Sequence, residues 1–181
     1  MTDRLVLGID PGTRKLGWGL VVRRGQRLEH VAHGVLCLDA EAPLAERLCE
    51  IDEGLADVIE RHRPQVGSVE SLFFHKDAQA AAKLGHARGV VLLAFARAKL
   101  PVFEYAPALV KRTVAGKGQA AKEQVAMVIK AMLGLRETPP ADAADALAIA
   151  VTHLRAAALA DAVRQSSRAR PIAPRLKFAN R

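Results

Sequence analysis

Four acidic side chains stand where the local sequence gives a carboxylate little structural use. Asp10 closes the apolar run Arg4–Asp10 just before the turn pair Pro11-Gly12, and Glu70 lies within or at the end of the apolar run from Val66. Asp142 and Asp145 are three apart in an alanine-rich stretch of helical character, so both project from one face. Carboxylates brought together repel and raise one another's pKa unless a cation joins them. A set of oxygen ligands without His or Cys favours a hard ion, Mg²⁺ or Mn²⁺. Two such ions, about 3.5–4 Å apart, activate water and stabilise the leaving oxygen in phosphodiester hydrolysis. Each residue also has an ordinary account: Asp10 as a turn cap, Glu70 as the partner of a buried Arg, Asp142 as a first-turn helix acid. The four taken together point to a metal site.

That site requires particular neighbours. Three apolar runs, Arg4–Asp10, Gly17–Val22 and Leu28–Leu38, joined by short Gly-containing turns, read as an antiparallel meander. The period then changes. Leu44, Leu48, Ile51, Leu55, Val58 and Ile59 are spaced by three and four, predicting an amphipathic helix with Pro43 near its first turn and Pro64 beyond its end. Its other face carries Glu46, Glu50, Glu53, Asp57 and Glu60 and is expected to face solvent. A buried strand over 66–72, a long Ala-rich helix over 78–99, a fifth strand over 101–105 and a short helix over 107–115 follow. Helices over about 120–133 and 140–160 complete the order, which predicts an α/β fold with a mixed sheet flanked by helices. Functional groups in open sheets gather at the carboxyl ends of strands. If the first and fourth strands are parallel neighbours, Asp10 and Glu70 emerge side by side. The last helix, with ten alanines among residues 141–160, can lie close to the sheet and bring Asp142 and Asp145 over the same point.

The rest of the composition sets limits. At 181 residues, half of them hydrophobic, the chain is long enough for about one domain. Charged residues interrupt every apolar stretch longer than nine, so no membrane span is expected, and no signal-peptide apolar region follows Met1. Cys37 and Cys49 lack the spacing of a disulfide or zinc framework. A membrane protein, a disulfide scaffold and a large two-domain enzyme are excluded on this reading, and a cytoplasmic location is expected. The net charge is +8, unevenly spread: residues 78–122 carry +7 and residues 162–181 carry +6 with no acid. A basic stretch and a basic tail on an acidic remainder suit a phosphate-backbone binder. The expected division is a domain over 1–160 and a basic tail over 161–181, disordered because it has no apolar periodicity from Gln165 onward.

Five segments, in order, carry a resemblance: Gly8-Ile-Asp10-Pro-Gly-Thr13, Val69-Glu70-Ser-Leu-Phe73, Lys83-Leu-Gly-His-Ala-Arg-Gly89, Val102-Phe-Glu-Tyr105-Ala, and Ala141-Asp142-Ala-Ala-Asp145-Ala-Leu-Ala-Ile-Ala150. Together they resemble the RuvC family of Holliday-junction resolvases, collinearly to about Thr152-His153. The resemblance implies the ribonuclease H-like fold, a five-stranded mixed sheet with helices on both faces. It implies catalytic, metal-binding carboxylates at Asp10, Glu70, Asp142 and Asp145, with two Mg²⁺ per site and Mn²⁺ as the alternative ion. It also implies a homodimer that resolves a four-way DNA junction by paired symmetric cuts in recombination and repair, leaving a 5′ phosphate and a 3′ hydroxyl. The RuvA–RuvB branch-migration complex is the implied partner.

Further positions follow from the match. Phe73 corresponds to the family's loop aromatic, which stacks on a base at the junction; a core Phe beside Phe74 is the plain alternative. Lys111 and Lys122 match the family's two functional lysines and flank Gly116-Lys117-Gly118, where a solvated basic loop is the competing account. Lys83, Arg88 and Lys117 are expected on phosphates. After Phe73 the chain departs from the family, with Asp77 and Ala80 where an Asn and a Ser are usual, which bears on junction contacts and sequence preference. Three rivals share parts of this pattern. The Asp10-Pro-Gly-Thr13 turn also resembles the phosphate loop of actin-like ATPases, for whose second domain 181 residues leave no room. A second is non-enzymatic, a basic junction-binding protein whose carboxylates are structural, and a third is a related nuclease on the same fold with a different substrate, such as an RNA–DNA hybrid or another branched DNA.

Overall fold

The structure is a computed structural model that describes residues 4–71 and 78–168, apart from the side chains of residues 80 and 161–168. Strand β1 (Arg4–Asp10) turns at Pro11-Gly12 into β2 (Lys15–Arg24), which pairs with β3 (Arg27–Cys37) through a tight hairpin at Gly25, whose φ of 60° suits glycine. Helix α1 (Leu44–His62) follows Pro43 at its N-cap and stops at Arg63, in the left-handed conformation directly before Pro64. Then come β4 (Val66–Glu70), α2 (Ala78–Arg97), β5 (Val102–Tyr105), α3 (Pro107–Ala115), α4 (Lys122–Leu133) and α5 (Ala141–Arg168). The strands form one sheet in the order β3-β2-β1-β4-β5. The first three are antiparallel, while β4 runs parallel to both β1 and β5. This is the mixed sheet expected from the element order.

Strand alternation divides the core between the two faces. Leu7, Ile9, Leu16 and Leu20 point to α1 and α2, meeting Ile51, Leu55, Val91 and Phe95. Val6, Val21 and Val66 point the other way, to Val110, Ile129, Leu147 and Val151 of α3, α4 and α5. The acidic face of α1 is turned outward, with Glu46, Glu53, Asp57 and Glu60 exposed and Glu50 half-buried.

Helix α5 lies almost directly on the sheet. A Cβ on Gly8 would run into the Ala146 carbonyl oxygen and stand 2.8 Å from the Ala150 nitrogen, and one on Gly17 would run into the Asp142 carbonyl. The alanines of α5 and the glycines of β1 and β2 thus let backbone approach backbone. The helix continues to Arg168, eight residues beyond the end expected from its pattern. Residues 169–181 of the basic tail lie outside the described residues. The sequence expectation of no membrane-length apolar stretch needs correction. Ala141–Ala160 is long and apolar enough to cross a membrane, with a mean hydropathy of 1.4, because its apolar residues outweigh its few charges in the average. In the structure 61% of that stretch is buried in the protein, as the core helix of this fold. Cys37 and Cys49 are free thiols and exposed.

Candidate active site

Asp10 ends β1 and Glu70 ends β4. The parallel register places Ile9 beside Val69, so the next residue on each strand, Asp10 and Glu70, emerges at the same edge of the sheet. The turn after Asp10 is braced by α1, where Arg47 Nη1 donates to the Thr13 carbonyl at 2.9 Å. Across from them, α5 contributes Asp145, while α3 and α4 contribute Lys111 and Lys122. Asp10, Glu70, Asp145, Lys111 and Lys122 line one cavity of about 310 Å³, floored by Val110, Val125 and Ile149.

The electrostatics follow from this crowding. Asp10 is pushed up to about 7, first by burial and then by the charges of Asp145 and Glu70, with Lys122 opposing the rise. Lys122 Nζ stands 3.0 Å from Asp145 Oδ2. That hydrogen bond raises the Lys122 pKa against the smaller effect of desolvation. Asp142 is half-buried at the first turn of α5, and of the charges that act on Asp10 its effect is the smallest. It does not line the cavity; its carbonyl instead backs onto Gly17. Among the described residues, no three His, Cys, Asp or Glu side chains converge into a finished metal-binding cluster. Repulsion between the carboxylates and the pairing of Asp145 with Lys122 favour such spacing.

The other expected site residues fall in different places. Lys83 is exposed on α2, and Lys117 is exposed beyond the left-handed Gly116 that caps α3 (φ 76°). Phe73 lies outside the described residues. Arg88, expected on a phosphate, is turned inward with its side chain 13% exposed: Nη2 meets Glu104 Oε2 at 2.6 Å and Nε donates to the Glu70 carbonyl at 3.3 Å. The carboxylate that pairs with Arg88 is Glu104 of β5. A second group had no signal in spacing at all. His153 of α5 is 2% exposed, and its Nδ1 pairs with the Tyr105 hydroxyl at 2.8 Å. Burial, and then Arg4, push His153 down to about 4. The Tyr105 carbonyl in turn accepts from the Ser71 N–H at 2.9 Å, just past Glu70.

This sheet order with helices on both faces defines the ribonuclease H-like class, and comparisons with known proteins agree. The family model described as crossover junction endodeoxyribonuclease RuvC matches residues 6–153. A curated crossover junction endodeoxyribonuclease RuvC from Sorangium cellulosum is 61% identical over 176 residues, covering 94% of this chain and 98% of that protein. The structure of Thermus thermophilus RuvC in complex with Holliday junction substrate superposes with a TM-score of 0.81 at 40% identity, covering 87% of this chain and 96% of that one. The yeast mitochondrial Holliday junction resolvase shares the fold, with a TM-score of 0.66 at 14% identity over 90% of this chain and 82% of that one. The chain belongs to the RuvC family of crossover junction endodeoxyribonucleases.

Proposed function

We propose that this endonuclease resolves Holliday junctions as a homodimer, making paired symmetric cuts through divalent-metal-assisted hydrolysis at the cavity of Asp10, Glu70 and Asp145. The observation that carries this reading is the cavity itself: three carboxylates from three elements, at the carboxyl ends of two parallel strands, faced by two lysines. The donor set fits the ion. It is all oxygen, and burial with like charge presses Asp10 toward the neutral acid, a penalty that a hard cation removes. When bound, two Mg²⁺ ions, or Mn²⁺ in their place, activate water and neutralise charge at the leaving oxygen.

The chain's own residues supply the rest. Asp10, on which the charges of both Asp145 and Glu70 act, holds the centre of the site. Glu70 and Asp145 hold its two sides, and Asp142, one helical turn before Asp145, orients water at its margin. Lys122 balances charge while no cation is bound and is released toward the phosphate when one is; Lys111, from α3, offsets charge building on the scissile group. Lys83, Lys117 and the tail bind phosphates along the arms, and Phe73 stacks on a junction base. A two-fold dimer matched to the junction's two-fold axis accounts for cuts in two opposed strands. The enzyme acts in the cytoplasm, in recombination and repair, alongside the RuvA–RuvB branch-migration complex. Residues 1–160 serve as the nuclease domain and 161–181 as a basic extension.

The test incubates labelled four-way junction and matching linear duplex with Mg²⁺ and either the native protein or Asp10→Asn. Paired symmetric nicks are expected in the junction alone, and Asp10→Asn should bind the junction without cutting it. Junction binding without cutting by the native protein, with either metal, would overturn the reading. Equal cutting of the linear duplex would make it a general nuclease.

A further inference from the structure

We propose that Arg88 is a positioning residue for Glu70, clamped in place by Glu104, and not a phosphate contact. The inference rests on the reading of Glu70 as a metal-holding carboxylate. Glu70 lies one residue past the last register pair between β4 and β1, in register with Tyr105 of β5. Just past it, the Ser71 N–H is held by the Tyr105 carbonyl at 2.9 Å. The main chain here is thus tied to β5, and a second tie reaches the Glu70 carbonyl from α2.

Arg88 comes from above. Its guanidinium reaches from α2 to two elements at once, with Nη2 2.6 Å from Glu104 Oε2 on β5 and Nε 3.3 Å from the Glu70 carbonyl on β4. A planar guanidinium carries donors in a fixed fork, so a short charge-assisted bond to Glu104 sets the direction of the Nε–H. Glu104 is in register with Val69, which puts the anchoring carboxylate next to the residue it helps to hold. The side chain is 13% exposed, leaving little of it for a phosphate, whereas Lys83 on the same helix is exposed. Helix α2 is thus tied to the strand end that presents Glu70. Losing the tie leaves the carboxylate in the site but misplaced, and misplacement of a reacting group by about 1 Å can cost on the order of 100-fold in rate.

The test compares Arg88→Gln, Arg88→Lys, Glu104→Gln and Glu70→Gln by single-turnover cutting, Mg²⁺ half-saturation, junction affinity and calorimetric Mn²⁺ binding to the free protein. Arg88→Gln is expected to slow cutting about tenfold or more, raise the Mg²⁺ half-saturation and weaken Mn²⁺ binding, with junction affinity within about twofold. Glu104→Gln should shift the same quantities in the same direction, and it carries the test if Arg88→Gln does not fold. Arg88→Lys, which keeps the charge without the fork, should be intermediate. A weakened junction affinity with a reduced salt slope and native Mg²⁺ and Mn²⁺ dependence in Arg88→Gln would make Arg88 a phosphate contact and overturn the proposal. So would native cutting and metal binding in Glu104→Gln. Native cutting by Glu70→Gln would instead overturn the reading of Glu70, and the proposal with it; a Glu70→Gln that is inactive while both clamp variants cut normally removes the proposal alone.

Discussion

Both faces of the sheet bury apolar side chains, but only one also brings helix backbone against strand backbone. Toward α1 and α2 the core is made of side chains, with Leu7, Ile9, Leu16 and Leu20 meeting Ile51, Leu55 and Phe95. Toward α5, Val6 and Val21 also meet side chains, Leu147 and Val151, but between them Gly8 and Gly17 touch the backbone of α5 at Ala146, Ala150 and Asp142. Side chains can shift rotamers when a neighbour changes size; a carbonyl fixed within a helix has far less room to move. The carboxylates divide along the same line. Asp145 and Asp142 ride on the helix that packs backbone to backbone, so their placement over Asp10 is set by the distance between helix and sheet. Both faces bury apolar side chains, and the close backbone approach on the α5 face in addition sets the geometry of the site.

The largest effect should come from a single methyl group on the close-packed face. Gly17→Ala places a Cβ against the Asp142 carbonyl and should destabilise the protein by about 3 kcal/mol in urea unfolding. It should also slow single-turnover junction cutting by roughly 100-fold, because α5 moves with Asp145 on it. Native cutting by this variant would break the comparison. On the other face, Leu55→Ala opens a cavity and should cost about 3 kcal/mol, while cutting stays within about twofold at temperatures where the variant is folded. A loss of rate in proportion to stability would show that the two faces are not separable.

Asp10→Asn sharpens the contrast through pH. The folded protein keeps a proton on Asp10 up to about pH 7, whereas the reference carboxyl value is 3.8. Between those values the folded state binds more protons, so the stability of the metal-free protein falls as pH rises through that window. Asp10→Asn lacks this fall and should be more stable than the native protein at pH 8 by about 2 kcal/mol, and added Mg²⁺ should stabilise the native protein alone. Thermal unfolding against pH, with and without Mg²⁺, measures both. The smallest effect belongs to the β2–β3 hairpin, at the opposite end of the sheet from the carboxylates. Arg24 and Glu29 pair there at 3.3 Å with both side chains exposed, and Arg24→Ala should change stability by less than about 0.5 kcal/mol and leave cutting unchanged.

Much of this was legible in the chain. The shift from runs of apolar residues to spacings of three and four gave the order of strands and helices, since strands and helices bury residues at different periods. Pro11-Gly12, Pro43 and Pro64 marked ends because proline restricts the backbone on either side of itself. Asp10, Glu70, Asp142 and Asp145 stood out as charges in apolar company, and ten alanines in residues 141–160 announced a helix that lies close to its neighbour. The glycines that receive that helix gave no such notice, because each looks locally like a turn or an irregularity in a strand.

What the sequence by itself determined is therefore the inventory and its periodicity: which residues carry charge, where each element starts, which face of it is apolar. Only the tertiary structure decided partnership. It set Asp145 against Lys122 with Asp142 outside the cavity, although both acids share a helix and lie three residues apart. It turned Arg88 from the solvent to Glu104 and Glu70, and joined His153 to Tyr105 across 48 residues. Periodicity is a property of one element and is written in that element alone. A contact between elements depends on register, on the distance of approach and on which charges remain after burial, and these are fixed when all the layers pack at once.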